Sequence, residues 1–180
     1  MSMLCPALRI RKALDTNSTA SAFTAKIPTA TEPTNSGVFR LSDSQHGLGT
    51  DGVGPDMVQL IPFGGNDNND VFNMRLWGWS RTAGAPGASG LLWVPQLLAE
   101  LAVTLGSISA TAIAANMLMA DTIVVTYGDA AADGYGVMPI SPANDLSASA
   151  LVHLRGSEYI EFDFDLHTNC DAMNCLWRGV

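Results

Sequence analysis

The sequence predicts an all-β protein: an antiparallel β-sandwich or jelly-roll-like domain over residues 20–180, preceded by an extended N-terminal arm over residues 1–19. Three observations predict it. Short apolar or alternating runs recur along the chain, separated by clusters of Gly, Pro, Asn and Asp. No sustained alternation of strand and helix patterns marks a parallel sheet. Charged residues make up only 14% of the chain, against a usual ~25%, and Ala, Ser, Thr, Gly and Asn fill the gap, a composition suited to turns and close-packed strands. With 180 residues, the chain is long enough for one domain with a substantial core.

The elements follow in order. Residues 1–19, MSMLCPALRIRKALDTNST, contain apolar residues without a sustained period, the pattern of an arm. Residues 21–27 predict a first strand, closed by the turn-rich PTATEPTNSG, and GVFRLS at 37–42 predicts a second. SQHGLGTDGVGPD (44–56), with five Gly or Pro in thirteen positions, predicts an exposed loop. MVQLIPF (57–63) and VFNMRLWGWSR (71–81) read as two strands joined through GGNDNND as a hairpin. In the second, Phe72, Met74 and Leu76 share one face, with Asn73, Arg75 and Trp77 opposite.

LLWVPQLLAELAVTLG (91–106) fits two patterns. A helix would use Pro95 in its first turn and Gly106 as its stop. A strand would place Trp93, Pro95, Leu97, Ala99, Leu101, Val103 and Leu105 on one apolar face. The β-rich surroundings favour the strand. ADTIVVTYG (120–128), ALVHLRG (150–156) and YIEFDFDL (159–166) complete the set, with Gly156-Ser157 as a tight turn.

Charge narrows the function. The net charge is −8. Residues 1–14 hold Arg9, Arg11 and Lys12 and no acid, whereas the rest has six basic residues against seventeen acids. A body of that sign repels duplex DNA, so no direct nucleic-acid partner is expected. The basic arm suits an acidic neighbour. Residues 101–120 are free of charge but are broken by Gly106, Ser107, Ser109 and Asn116 and lack flanking anchors, so no membrane span is expected. No signal segment is evident. Three cysteines, Cys5, Cys170 and Cys175, do not make a paired disulfide framework and suit synthesis in a reducing compartment.

The motifs that could carry chemistry each have a plainer reading. Glu161, Asp163 and Asp165 line one face of the last predicted strand, spaced about 7 Å apart at ~3.3 Å per residue. Any such acidic pair meets that spacing, which inverting glycosidases also use. A solvated face, or an interface meeting basic groups, explains them better. His167, Cys170, Asp171 and Cys175 lack the second knuckle that a structural zinc site needs. GGNDNND (64–70) and GDAAADG (128–134) miss the calcium-loop order and read as turns. His46 and His153 stand outside any nucleophile–base pattern, and no phosphate-binding or dinucleotide fingerprint occurs. No catalytic residue, metal, cofactor or small-molecule substrate is expected.

Taken together, DVFNMRLWGWSR, GLLWVPQLLAELAVTLG, DTIVVTYGDA, PISPAN and the ending EYIEFDFDLHTNCDAMNCLWRGV resemble the small capsid decoration (cement) proteins of tailed bacteriophages, of the β-sandwich or jelly-roll-like kind. The resemblance covers residues 57–180, by pattern and order rather than by an invariant motif, and leaves the arm unmatched. It implies a trimer on the capsid exterior that binds the major capsid protein and itself, made in the host cytoplasm. A placement in the tail or neck, as an adaptor or fibre-associated module, is the alternative. A carbohydrate-active sandwich using the acidic face is a third reading. For partner binding, the arm offers Leu4, Leu8, Arg9, Ile10 and Arg11, and the C-terminus offers Trp177 and Arg178, residue types enriched at interface hot spots. Trp177 fits a second role equally well, as a core anchor of the last strand.

Overall fold

The computed structural model describes residues 11–15, 23, 25–34, 37–41, 56–65, 69–83, 90–106, 118–128, 136–140, 148–166, 170 and 173–180. Among them are ten strands and no helix: β1 (Arg11–Asp15), β2 (Val38–Arg40), β3 (Met57–Gly64), β4 (Val71–Ala83), β5 (Leu91–Leu105), β6 (Leu118–Tyr127), β7 (Val137–Ile140), β8 (Ser149–His153), β9 (Tyr159–Leu166) and β10 (Met173–Gly179). All pairings are antiparallel.

The strands form a two-layer sandwich. One layer runs β1-β10-β3 and continues through β8 to β7, and the other runs β2-β9-β4-β5-β6. They join where Phe63 and Gly64 at the end of β3 pair with Met119 and Leu118 of β6. Inward-facing residues of both layers make one core: Phe72, Met74, Leu76, Leu101, Val103, Ile160 and Phe162 from the second layer meet Val58, Leu60, Val152, Cys175 and Trp177 from the first. Trp177 is fully buried between them, its ring centroid 5.1 Å from Phe39 and 6.0 Å from Phe162.

The ambiguous segment 91–106 is the strand β5, because its apolar residues fill a pleated surface between β4 and β6. It does not keep one face, however. The register shifts between Leu76↔Ala99 and Trp77↔Leu97, leaving Leu98 as an extra residue in a β-bulge. A one-residue shift reverses the facing of all that precedes it. Ala99, Leu101, Val103 and Leu105 therefore enter the core, while Trp93 joins Trp79 and Tyr159 in a separate cluster on the outside of the layer. Gly78 lies beside the bulge, where an added Cβ would stand 2.0 Å from Ser157 Oγ and 2.9 Å from Leu98 Cδ1. Only glycine fits.

Three other expectations are corrected. β3 and β4 are not a hairpin: β3 pairs with β10, β8 and β6, and β4 with β5 and β9. The chain changes layers between them, through left-handed Gly65 (φ 59°) and Asn69 (φ 71°). Of residues 21–27, those described make no ladder, and the neighbouring Thr29 makes only an isolated bridge to Trp93. The tight turn before β9 centres on Arg155 and Gly156, both at positive φ, with Ser157 N–H donating to the Leu154 carbonyl at 3.0 Å. Three strands were not foreseen: β1 (inside the stretch expected to be an arm), β7 and β10. β1 runs antiparallel to β10 with Arg11 opposite Trp177.

Candidate functional site

The strand that carries Glu161, Asp163 and Asp165 is β9, and its alternation holds. Ile160, Phe162 and Phe164 point into the core, and Glu161 and Asp163 point outward. Pairing with β4 sets Glu161 opposite Trp77, Asp163 opposite Arg75, and Tyr159 opposite Trp79. The contacts then run diagonally across the ladder. Trp79 Nε1 donates to Glu161 Oε2 at 2.9 Å, and Trp77 Nε1 donates to Asp163 Oδ2 at 3.1 Å. Arg75 turns the other way, toward β5, and its Nε donates to Glu100 Oε2 at 2.7 Å.

A segment from the N-terminal side, residues 25–34, crosses this face and leaves it largely covered. Lys26 Nζ lies 2.7 Å from Glu161 Oε1 and 3.1 Å from Asp163 Oδ1. Just before the segment, Phe23 packs against the Arg75 guanidinium, 4.1 Å from its ring centroid. Thr29 and Trp93 exchange both backbone hydrogen bonds, at 3.0 and 2.8 Å. The Tyr159 hydroxyl donates to the Glu32 carboxylate. Glu161 is consequently buried.

Burial by itself would lower the pKa of Lys26. The hydrogen bonds and charges of Glu161 and Asp163 outweigh it, and hold the ammonium above the ordinary lysine value. The acidic pair thus already has its cation, supplied by the chain itself. The reading of this strand as a solvated face is corrected at Glu161, which is buried against a basic group of the chain itself.

The residues singled out for partner binding fall in different places. Leu4, Leu8, Arg9 and Ile10 lie outside the described residues, and Arg11 is described only as a backbone member of β1. Trp177 takes the second of its two roles, the core anchor, because the opposite layer covers it completely. Arg178 is half-buried on the outer side of the first layer. Its Nε donates to Gln59 Oε1 at 2.6 Å, and Gln59 Nε2 donates onward to Ser149 Oγ at 3.1 Å, a polar chain across β10, β3 and β8.

In the C-terminal cluster, His167 and Asp171 are outside the described residues, and so is His46. Cys170 and Cys175 are buried, and burial pushes the pKa of the Cys175 thiol far up. Of the two glycine-flanked acidic loops, 64–70 is described except for residues 66–68, and 128–134 is described only at Gly128. Among the described residues, no group of three His, Cys, Asp or Glu is placed to hold a metal ion, and no helix is long and apolar enough to cross a membrane.

Sequence reasoning missed Lys26 and Glu32. One signal was available for Lys26: it is one of only six basic residues after the arm, against seventeen acids, so each cation in the body is sought by several carboxylates. Comparison of the chain with known protein families, with characterised proteins and with solved structures finds no match.

Proposed function

We propose that this chain is a structural virion protein that decorates and stabilises a bacteriophage capsid, binding the major capsid protein and other copies of itself as a trimer on the capsid exterior. The observation that carries the reading is the resemblance over residues 57–180, the stretch that holds β3 to β10 and both layers of the core. A structural rather than catalytic role also suits the outward acidic face, whose carboxylates are engaged in holding the chain's own Lys26, Trp77 and Trp79.

An exposed apolar rim between β6 and β7 supports the self-association part of this reading. Val124 and Tyr127 of β6 are 55% and 51% exposed, and Met138 of β7 is 54% exposed. The two strands are tied at that rim by Val137 N–H donating to the Gly128 carbonyl at 2.7 Å. Residues 122–128 of this rim and all of β7 are uncharged. Glu100, the ladder partner of Tyr127, is paired with Arg75 at 2.7 Å, which lessens the repulsion between copies of a chain with net charge −8.

Light scattering tests the assembly, with three times the 19.0 kDa chain mass as the expected result. Mixing the protein with undecorated shells tests the role. Deleting residues 1–10, which spares β1, should leave a folded trimer that no longer docks. A truncated protein that still decorates shells would remove the arm from the reading. A few copies per particle instead of hundreds would move the protein to the tail or neck.

A further inference from the structure

Segment 25–34 does not seal the face it crosses. A cleft of about 380 Å³ remains between it and strands β4 and β9. Trp79 and Glu161 belong to the sheet side of this cleft. Lys26, Glu32, Thr31 and Thr34 line it from the segment. We propose that the cleft is a binding site for a neutral saccharide unit, seated with a C–H face toward Trp79 and its hydroxyls toward Glu32 and the threonines.

The volume falls in the range of small-ligand sites, which join an apolar or aromatic surface to a few convergent polar groups. Charge selects the class of ligand. Two carboxylates and a net charge of −8 oppose an anion. A cation finds both carboxylates already engaged, Glu161 by Lys26 and Glu32 by the Tyr159 hydroxyl and the charge of Arg81. A fully apolar ligand would strip water from Glu32, Glu161 and the threonine hydroxyls without replacing it. What remains is a neutral molecule that both donates and accepts hydrogen bonds and has an apolar face, which describes a pyranose ring.

The donors and acceptors are also in place before a ligand arrives. Lys26 Nζ has three protons, two of them directed at Glu161 and Asp163, which leaves one. Glu161 is fixed by Lys26 and by Trp79 Nε1, and Glu32 by the Tyr159 hydroxyl. The rim is turned by Thr31 N–H donating to Thr29 Oγ1 at 3.1 Å. Groups held this way lose little freedom on binding. The proposal is independent of the capsid reading, since a decorating protein with no sugar site and a sugar-binding protein with no capsid are both coherent outcomes.

The test is ligand-observed saturation-transfer NMR on the full chain, with hexopyranosides and their disaccharides as probes. The expected result is a saturable response in the millimolar range for at least one sugar. Thr31→Trp, a change at an exposed position of the rim, places an indole in the cleft and should weaken that response at least tenfold, with thermal unfolding unchanged. Should that variant misfold, Glu32→Gln keeps the shape and should weaken binding about tenfold, the size of one charge-assisted hydrogen bond. Absence of a saturable response to every sugar at tens of millimolar would overturn the proposal. So would a response undiminished in a folded Thr31→Trp or Glu32→Gln protein.

Discussion

Trp177 and the pair Trp77 and Trp79 are the same residue type buried in two ways. Trp177 lies between the layers, packed on Phe39 and Phe162, and its indole N–H has no hydrogen-bond partner among the described residues. Trp77 and Trp79 lie on the outer face, and each indole N–H donates to a carboxylate of β9. The difference is in what supplies the cover. Another sheet covers Trp177 with apolar surface on all sides, and that gain exceeds the ~1–3 kcal/mol of an unpaired buried donor. A single segment with one backbone bridge covers the outer face, so that face depends on paired polar groups instead.

Breaking the interlayer side should have the largest effect. Trp177→Ala is expected to cost ~3–5 kcal/mol in a urea unfolding experiment, from lost burial and the cavity left behind. Trp177→Phe keeps a ring between the layers and removes the orphaned N–H, so its cost should be ~1–2 kcal/mol at most. A small loss in the alanine variant would mean that the layers can collapse on each other without this anchor.

The outer face should be weaker and should respond to pH. Glu161→Leu strips partners from both Lys26 and Trp79 and is expected to cost ~2–3 kcal/mol. Lys26→Met, which leaves Glu161 its bond from Trp79, is expected to cost about 1 kcal/mol, since the ammonium is partly exposed to solvent. The folded-state pKa of Lys26 is raised above its ordinary value of 10.5. Its contribution is therefore complete below that value and is lost as pH rises through the raised one. Wild type and Lys26→Met should differ in unfolding midpoint near neutral pH and converge in strong alkali. A constant gap across that range would assign the effect to packing of the Lys26 stem.

The same contrast explains how much of the molecule was legible. A period of two is local, so β9 and the inner face of β4 could be read directly from Ile160, Phe162 and Phe164 and from Phe72, Met74 and Leu76. Where a strand goes is not local. The 64–70 stretch has the composition of a hairpin loop, yet it carries the chain from one layer to the other. The bulge at Leu98 has no signature in LLWVPQLLAELAVTLG, and it alone moves Trp93 from the core face to the outside. Trp177 fits two roles in the sequence because a terminal strand reads alike whether its aromatic faces a partner or the opposite layer. The Lys26 site was invisible for a further reason. It joins residues 135 apart in sequence, through a segment without ladder pairing, and no periodicity records such a contact.

The smallest effect is expected where an ion pair has neither cover nor a second layer. Arg81 Nε lies 3.1 Å from Glu158 Oε1 and Arg81 Nη2 lies 3.0 Å from Glu158 Oε2, a bidentate geometry better than that of Lys26, and its guanidinium sits 5.3 Å from the Trp93 ring centroid. Geometry alone would rank this pair above Lys26 with Glu161. Exposure ranks it below, because water and salt screen both charges while ordering the long side chains costs entropy. Arg81→Gln also leaves the Arg81 backbone N–H free to donate to Glu158 as before, at 3.3 Å. The expected outcome is an unfolding midpoint indistinguishable from wild type at physiological salt, with any difference confined to low ionic strength. A loss as large as that of Lys26→Met would mean that the bidentate contact and the Trp93 ring, rather than the covering segment, set the strength of charge pairs on this face.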